Sequence, residues 1–161
     1  MGNVDFQHSL TTTPNHRFLN GQVAMLTRVL VVDDDNDTTD LLKIILTPSA
    51  FKVITANSGQ EGVELARKLS PDVMVVDLFM PGMDGLMVCK EVRKFSNVPI
   101  LVLSAVGKPG VAEQALDEGA DDYLIKPMNN KVLIASLNKL TRRARAEQAA
   151  IQQSNGEHQK D

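Results

Sequence analysis

From Arg28 onward, short aliphatic runs alternate with longer segments in which apolar residues recur every three or four positions. The runs are RVLVVD (28–33), FKVITA (51–56), DVMVVD (72–77), PILVLSA (99–105) and DDYLIK (121–126). Several are rich in Val and Ile with little polar alternation, the pattern of strands covered on both faces of a parallel sheet. Between them the spacing predicts helices over about 37–47, 59–69, 84–95, 109–118 and 129–147. Punctuation supports these limits: Ser58 with Glu61 reads as a capping box, Pro71 follows the second helix, Pro99 precedes the fourth strand, and Gly119 stands where the fourth helix should end. Five βα units joined by right-handed crossovers give a doubly wound sheet, whose ligands sit beyond the carboxyl ends of the strands.

The flanks read differently. Residues 1–27 are polar, with no helical or strand periodicity of useful length, and are expected to form a flexible N-terminal arm. Residues 142–161 are expected to continue the last helix and end in a polar tail, with no effector domain following. Arg142, Arg143 and Arg145 fit a solvated helix end, where cations complement the helix dipole. A chain of 161 residues with 43% hydrophobic content suits one ordinary core. Its formal net charge of -3 lacks the basic bias of a nucleic-acid binder, so direct nucleic-acid binding is not expected. The single cysteine, Cys89, rules out an internal disulfide, fits a reducing compartment and reads as a buried helix position. With no signal-peptide core and no long apolar stretch, the expectation is a cytoplasmic protein that does not engage a membrane.

The chemistry lies in the polar residues that close the aliphatic runs. The first strand ends in Asp33 and Asp34, the third in Asp77, the fourth in Ser104 and the fifth in Lys126. In a doubly wound sheet these ends meet at one edge. Three crowded carboxylates repel one another unless a cation holds them, and a set made only of oxygen ligands favours a hard divalent ion, Mg²⁺. No His or Cys joins the set, which counts against zinc. Because Mg²⁺ commonly binds one or two carboxylates together with a phosphate oxygen, the site calls for a phosphoryl group. The Asp77 carboxylate can then attack in line and become an acyl phosphate, while Lys126 and the metal draw off charge. Ser104 can donate to the phosphoryl oxygens, and Gly82 and Gly85 let the loop after Asp77 turn without side-chain clashes.

VLVVDDD, VMVVDLFMPGMDG, ILVLSA and DDYLIKP, in that order, resemble the receiver domain of response regulators in bacterial two-component phosphorelay systems, over about residues 28–141. The resemblance implies a flavodoxin-like fold: a five-stranded parallel sheet, strand order 2-1-3-4-5, with five helices. It makes Asp77 the phosphoacceptor, Asp33 and Asp34 the metal-binding pair, and the backbone carbonyl of Phe79 a further Mg²⁺ ligand. Ser104 stands at the Thr/Ser switch position, Tyr123 at the aromatic switch position and Lys126 at the family's lysine, with a cis bond from Lys126 to Pro127. The implied donor is a histidine kinase or phosphotransfer protein. The implied output is a changed surface on the fourth helix, fifth strand and fifth helix that controls a protein partner or an output domain. That same surface is a candidate for homodimerisation, although Leu133, Leu137 and Leu140 at helical spacing read first as core.

Bland readings stand beside these. Asp35 and Asp84 read as helix N-caps, and Tyr123, taken alone, as a half-buried strand aromatic. Phe79 and Val106 are apolar where the family tunes phosphoryl lifetime, so slow self-hydrolysis is expected. A haloacid-dehalogenase-like enzyme would need an Asp two residues past the nucleophile, and Phe79 occupies that position. A nucleotide-binding module would need a Gly-rich loop after the first strand, where three carboxylates stand instead. A phosphorylation-independent docking module of receiver-like fold is the remaining alternative.

Overall fold

In the computed structural model, residues 16–19 and 22–157 are described, with side chains from Met25 to Asn155. Five strands form one parallel sheet: β1 (Thr27–Val32), β2 (Phe51–Ala56), β3 (Val73–Asp77), β4 (Ile100–Ser104) and β5 (Asp122–Ile125). Their order in space is 2-1-3-4-5, as the resemblance implied. The connecting helices are α1 (Asn36–Leu46), α2 (Gly59–Leu69), α3 (Gly85–Arg93) and α4 (Val111–Asp117), and α5 (Asn130–Glu157) closes the chain.

Alternation along the strands splits the core into two layers. Val29, Val31, Val73, Val75, Leu101 and Leu103 pack against Leu42 and Leu46 of α1 and Leu133, Leu137 and Leu140 of α5. Leu30, Val32, Met74, Val76, Ile100 and Val102 face Val63 and Ala66 of α2, Val88, Cys89 and Val92 of α3 and Ala115 of α4. Full burial of a Val or Leu side chain stabilises by about 1.5–3 kcal/mol, so both layers are needed. The three leucines of α5 are core residues.

Capping chemistry sets the helix starts. Asp35 accepts from Asp37 N at 3.0 Å, Ser58 Oγ from Glu61 N at 3.1 Å and Asp84 Oδ1 from Met87 N at 2.9 Å. Each such cap stabilises by about 1 kcal/mol. The capping box at α2 is displaced by one residue: the Glu61 carboxylate accepts from Asn57 N at 2.8 Å, so the reciprocal bond lands on the residue before the cap.

Two regions depart from the pattern read in the sequence. Residues 1–27 were expected to hold no strand, yet His16–Leu19 pairs antiparallel with Gln22–Met25, and Thr27 already belongs to β1. The proposed flexibility of the stretch before His16 lies outside the described residues. The last helix, placed at about 129–147 with a helical continuation expected into 142–161, runs unbroken to Glu157, so that little of the expected polar end is left outside it. Beyond the buried Thr141 it is mostly exposed, and an Arg143 to Glu147 pair at 2.9 Å supports it one turn apart.

Candidate functional site

Backbone pairing carries each polar residue to the same edge of the sheet. Asp33 N donates to Ala56 O at 3.1 Å, continuing the β1–β2 ladder one residue past the strand. Leu78 N donates to Leu103 O at 2.9 Å, which holds the chain just after Asp77, and Lys126 N donates to Ser104 O at 2.8 Å. Asp77 closes β3 and Ser104 closes β4.

There the carboxylates of Asp33, Asp34 and Asp77 converge, each offering an oxygen within 4.8 Å of the others. Lys126 Nζ bridges two of them, donating to Asp77 Oδ1 at 2.9 Å and Asp33 Oδ2 at 3.1 Å. Asp33 Oδ1 also accepts from Asp35 N at 3.0 Å. Asp33 is 3% exposed and Asp77 8%, whereas Asp34 stands on the open rim. The electrostatics follow from this crowding. Burial pushes the Asp77 carboxyl above its ordinary range, the Lys126 hydrogen bond pulls it back, and the Asp33 charge adds to the rise. For Lys126, burial works to lower the ammonium, but its bonds to Asp77 and Asp33 prevail and hold it above the usual value.

One ammonium against three carboxylates leaves two negative charges uncompensated. An oxygen-only donor set with that excess and one member open to solvent fits a hard divalent cation such as Mg²⁺. Asp33, Asp34 and Asp77 are the side chains that would hold it.

The loop past Asp77 comes close to its own strand. A Cβ on Gly85 would lie 2.4 Å from Asp77 O and 2.8 Å from Leu78 Cα, so only glycine allows the start of α3 to pass there. Gly82 meets no such obstacle; its φ of +75° is the reason for glycine. The side chain of Phe79 is 56% exposed beside the site.

Ser104 is fully buried. Its Oγ accepts from Val106 N at 3.1 Å, and Val106 O accepts from the Tyr123 hydroxyl at 2.7 Å. One residue of the β4–α4 loop therefore links both positions at which a switch was expected. Tyr123 is half-buried against the core layer that includes Val102 and Ala115, and the Lys126–Pro127 bond is cis as expected. Cys89 is a core residue whose thiol burial pushes up to about 12, which makes it a poor nucleophile.

The sequence reading passed over Arg93. Its guanidinium donates to Gly119 O (3.0 Å), Ser96 O (3.1 Å) and Val98 O (2.8 Å), and pairs with Asp121 Oδ2 at 2.8 Å. No local signal announces a partner that stands 28 positions away.

Comparison with known proteins places this architecture. The profile of the response regulator receiver domain matches residues 29–138. The probable transcriptional regulator ycf27 of Porphyra purpurea is 42% identical over 117 residues, covering 73% of this chain and 48% of its own length. The DNA-binding response regulator MtrA of Mycolicibacterium smegmatis is 38% identical over 127 residues, covering 79% and 56% respectively. Among solved structures, the receiver domain of the Francisella response regulator 1452 superposes with a TM-score of 0.70 at 34% identity, covering 73% of this chain and 98% of that one. The Vibrio cholerae chemotaxis protein CheY4 gives 0.66 at 32%, covering 71% and 98%.

These relatives correct one expectation. Nucleic acid was excluded as a partner on the strength of a net charge of -3. Yet the curated relatives are, by name, transcriptional and DNA-binding regulators, and the chain spans about half the length of those it matches. The charge of a matched half carries no information about the other half. No helix among the described residues is long and apolar enough to cross a membrane. With its profile match, its relatives and its 2-1-3-4-5 sheet in agreement, the chain belongs to the response regulator receiver domain family of two-component signalling.

Proposed function

We propose that the chain is a phosphoacceptor switch in which Asp77 takes a phosphoryl group from a histidine kinase. The observation that carries this reading is the Lys126 ammonium bridging Asp77 and Asp33 at the rim of a three-carboxylate cluster. An Asp77 oxygen attacks the phosphorus of a phosphohistidine, a P–O bond forms, the P–N bond breaks, and the imidazole leaves and takes up a proton. Lys126 sits where it can pair with the incoming negative charge. Mg²⁺, held by Asp33, Asp34 and Asp77 and by the Phe79 carbonyl, supplies further charge neutralisation when bound. The chain is a signalling component and not a turnover enzyme, though its own residues assist the transfer.

In the second half of the proposal, the new phosphoryl oxygens compete for the Ser104 hydroxyl. Ser104 moves toward them, the Val106 loop follows, and the Tyr123 ring shifts with it, so that the face made by α4, β5 and α5 presents a different surface. On the relatives' names, the end of that signal is transcription, through a DNA-binding output. A reducing, cytoplasmic setting belongs to the same reading. Apolar cover from Phe79 and Val106 slows hydrolysis of the acyl phosphate. Phe79→Asn should therefore shorten its lifetime, and an unchanged dephosphorylation rate would argue against this cover.

The test is intact mass after incubation with acetyl phosphate. One phosphoryl adduct that requires both Mg²⁺ and Asp77, and is absent in Asp77→Asn, is the expected result. No adduct under any condition would leave the receiver fold serving as a docking module alone.

A further inference from the structure

The two ends of α4 are held very differently. At its start Gly110 has φ +86° and no side chain caps the helix, residues 107–110 are exposed, and only Ala115 of the helix is buried. At its end the chain is bolted down. Arg93 Nε donates to Gly119 O at 3.0 Å and Nη2 pairs with Asp121 Oδ2 at 2.8 Å. Asp121 Oδ2 also accepts from Ile100 N at 2.8 Å, and Asp121 N donates to Ile100 O at 2.8 Å. The other guanidinium nitrogen holds Ser96 O and Val98 O, so a single side chain ties the end of α3, the entry to β4 and the entry to β5. Gly119, at φ +107°, leaves only 2.8 Å between a would-be Cβ and Arg93 Cγ, which fits the guanidinium against this turn.

We propose that Arg93 is the pivot of α4: it fixes residues 118–121, so that a displacement starting at Ser104 and Val106 swings the uncapped end of the helix and stops at Gly119. This inference rests on the phosphoacceptor reading. Arg93 touches neither Asp77 nor the carboxylate cluster, so it is a positioning residue. The partner it serves is the rest of its own fold: the Arg93 bonds give α4 one fixed end, and a lever needs one. A charge-assisted network of this kind raises the free energy of local opening, which amide exchange reads directly.

Arg28 provides a matched control. It makes a comparable clamp on the opposite half of the sheet, with Leu69 O at 2.9 Å, Ser70 O at 2.7 Å and Asp72 Oδ2 at 3.4 Å.

The experiment is amide exchange of the full chain, with and without beryllofluoride and Mg²⁺ as a phosphoryl mimic, in wild type, Arg93→Gln, Asp121→Asn and Arg28→Gln. In wild type, the mimic should change exchange over 105–114 and leave 118–122 unchanged. In Arg93→Gln, basal exchange at 118–122 should rise by roughly tenfold, and the change caused by the mimic should now extend into those residues, while the Asp77 adduct with acetyl phosphate still forms. Asp121→Asn, which keeps an acceptor at the same place, should show the same spread to a smaller extent and covers the case in which Arg93→Gln folds poorly. Arg28→Gln should lower stability without spreading the response. A wild-type change that already includes 118–122, or a response still confined to 105–114 in Arg93→Gln or Asp121→Asn, would overturn the pivot. No response anywhere in wild type would overturn the phosphoacceptor reading beneath it.

Discussion

The middle of the sheet and its β5 edge are made from the same kind of sequence and held in different ways. β3 and β4 are buried at every position, and between them and β1 lie Asp33, Asp77 and Ser104, each under 9% exposed. β5 is half-exposed throughout, with Ile125 49% exposed, and the α4 beside it contributes one buried residue. Beyond the β4–β5 backbone ladder and the Lys126 bonds, the two regions meet through Ser104 Oγ, the backbone of Val106 and the Tyr123 hydroxyl. Chemistry needs groups that stay put, because reacting atoms must be held to within fractions of an ångström. A readout needs an element whose alternatives lie close in free energy. On the proposed function, the molecule separates these demands by position along one sheet.

The contrast can be broken most forcefully in the core. Leu137→Ala, on the core face of α5, removes a fully buried side chain and should cost about 2–5 kcal/mol in urea unfolding. A cost below about 1 kcal/mol would mean that the α5 layer is as loosely packed as α4. Next in size, Gly85→Ala forces a methyl group against Asp77 O and should cost about 1–3 kcal/mol. It should also slow adduct formation from acetyl phosphate, because Asp77 must move to relieve the clash. An adduct rate equal to that of wild type would show that the strand end tolerates displacement.

Smaller effects probe the edge. Tyr123→Phe removes the bond to Val106 O and should cost about 0.5–1.5 kcal/mol, with Asp77 still phosphorylated at its normal rate. A lost adduct in this variant would place Tyr123 in the chemistry and erase the division between the two regions. Smallest of all, Leu116→Ala on the outer face of α4, 47% exposed, should change stability by no more than about 0.5 kcal/mol. A cost comparable to that of Leu137→Ala would reveal α4 as part of the rigid body.

The rigid region can be read from the chain, as can the limits of α4 and β5. Continuous aliphatic runs that end on Asp33, Asp77 and Ser104 are unusual enough to mark both the sheet and its candidate-site edge, and Asp35, Ser58 and Asp84 mark helix starts by local capping. Local chemistry is legible because its partners lie within a few residues. The pair at Arg93 and Asp121 spans 28 positions and leaves no trace in periodicity. The hairpin at 16–25 consists of four-residue strands, too short for alternation to stand out. The reach of α5 to Glu157 depends on helix propensity and pairs such as Arg143 with Glu147, since its core stripe ends at Leu140 and Thr141. The relatives named as DNA-binding are matched over only about half of their length, so the charge of this chain does not bear on that name.

The central claim is that charge placed on Asp77 moves the β5 edge. Tyr123 is the single tyrosine in a chain without tryptophan, so intrinsic emission above the phenylalanine range reports on that ring alone. Titration with beryllofluoride and Mg²⁺ should change this emission in wild type and leave it unchanged in Asp77→Asn and Ser104→Ala. An emission that stays constant in wild type, under conditions where the mass of the Asp77 adduct is seen with acetyl phosphate, would contradict the coupling between the two regions.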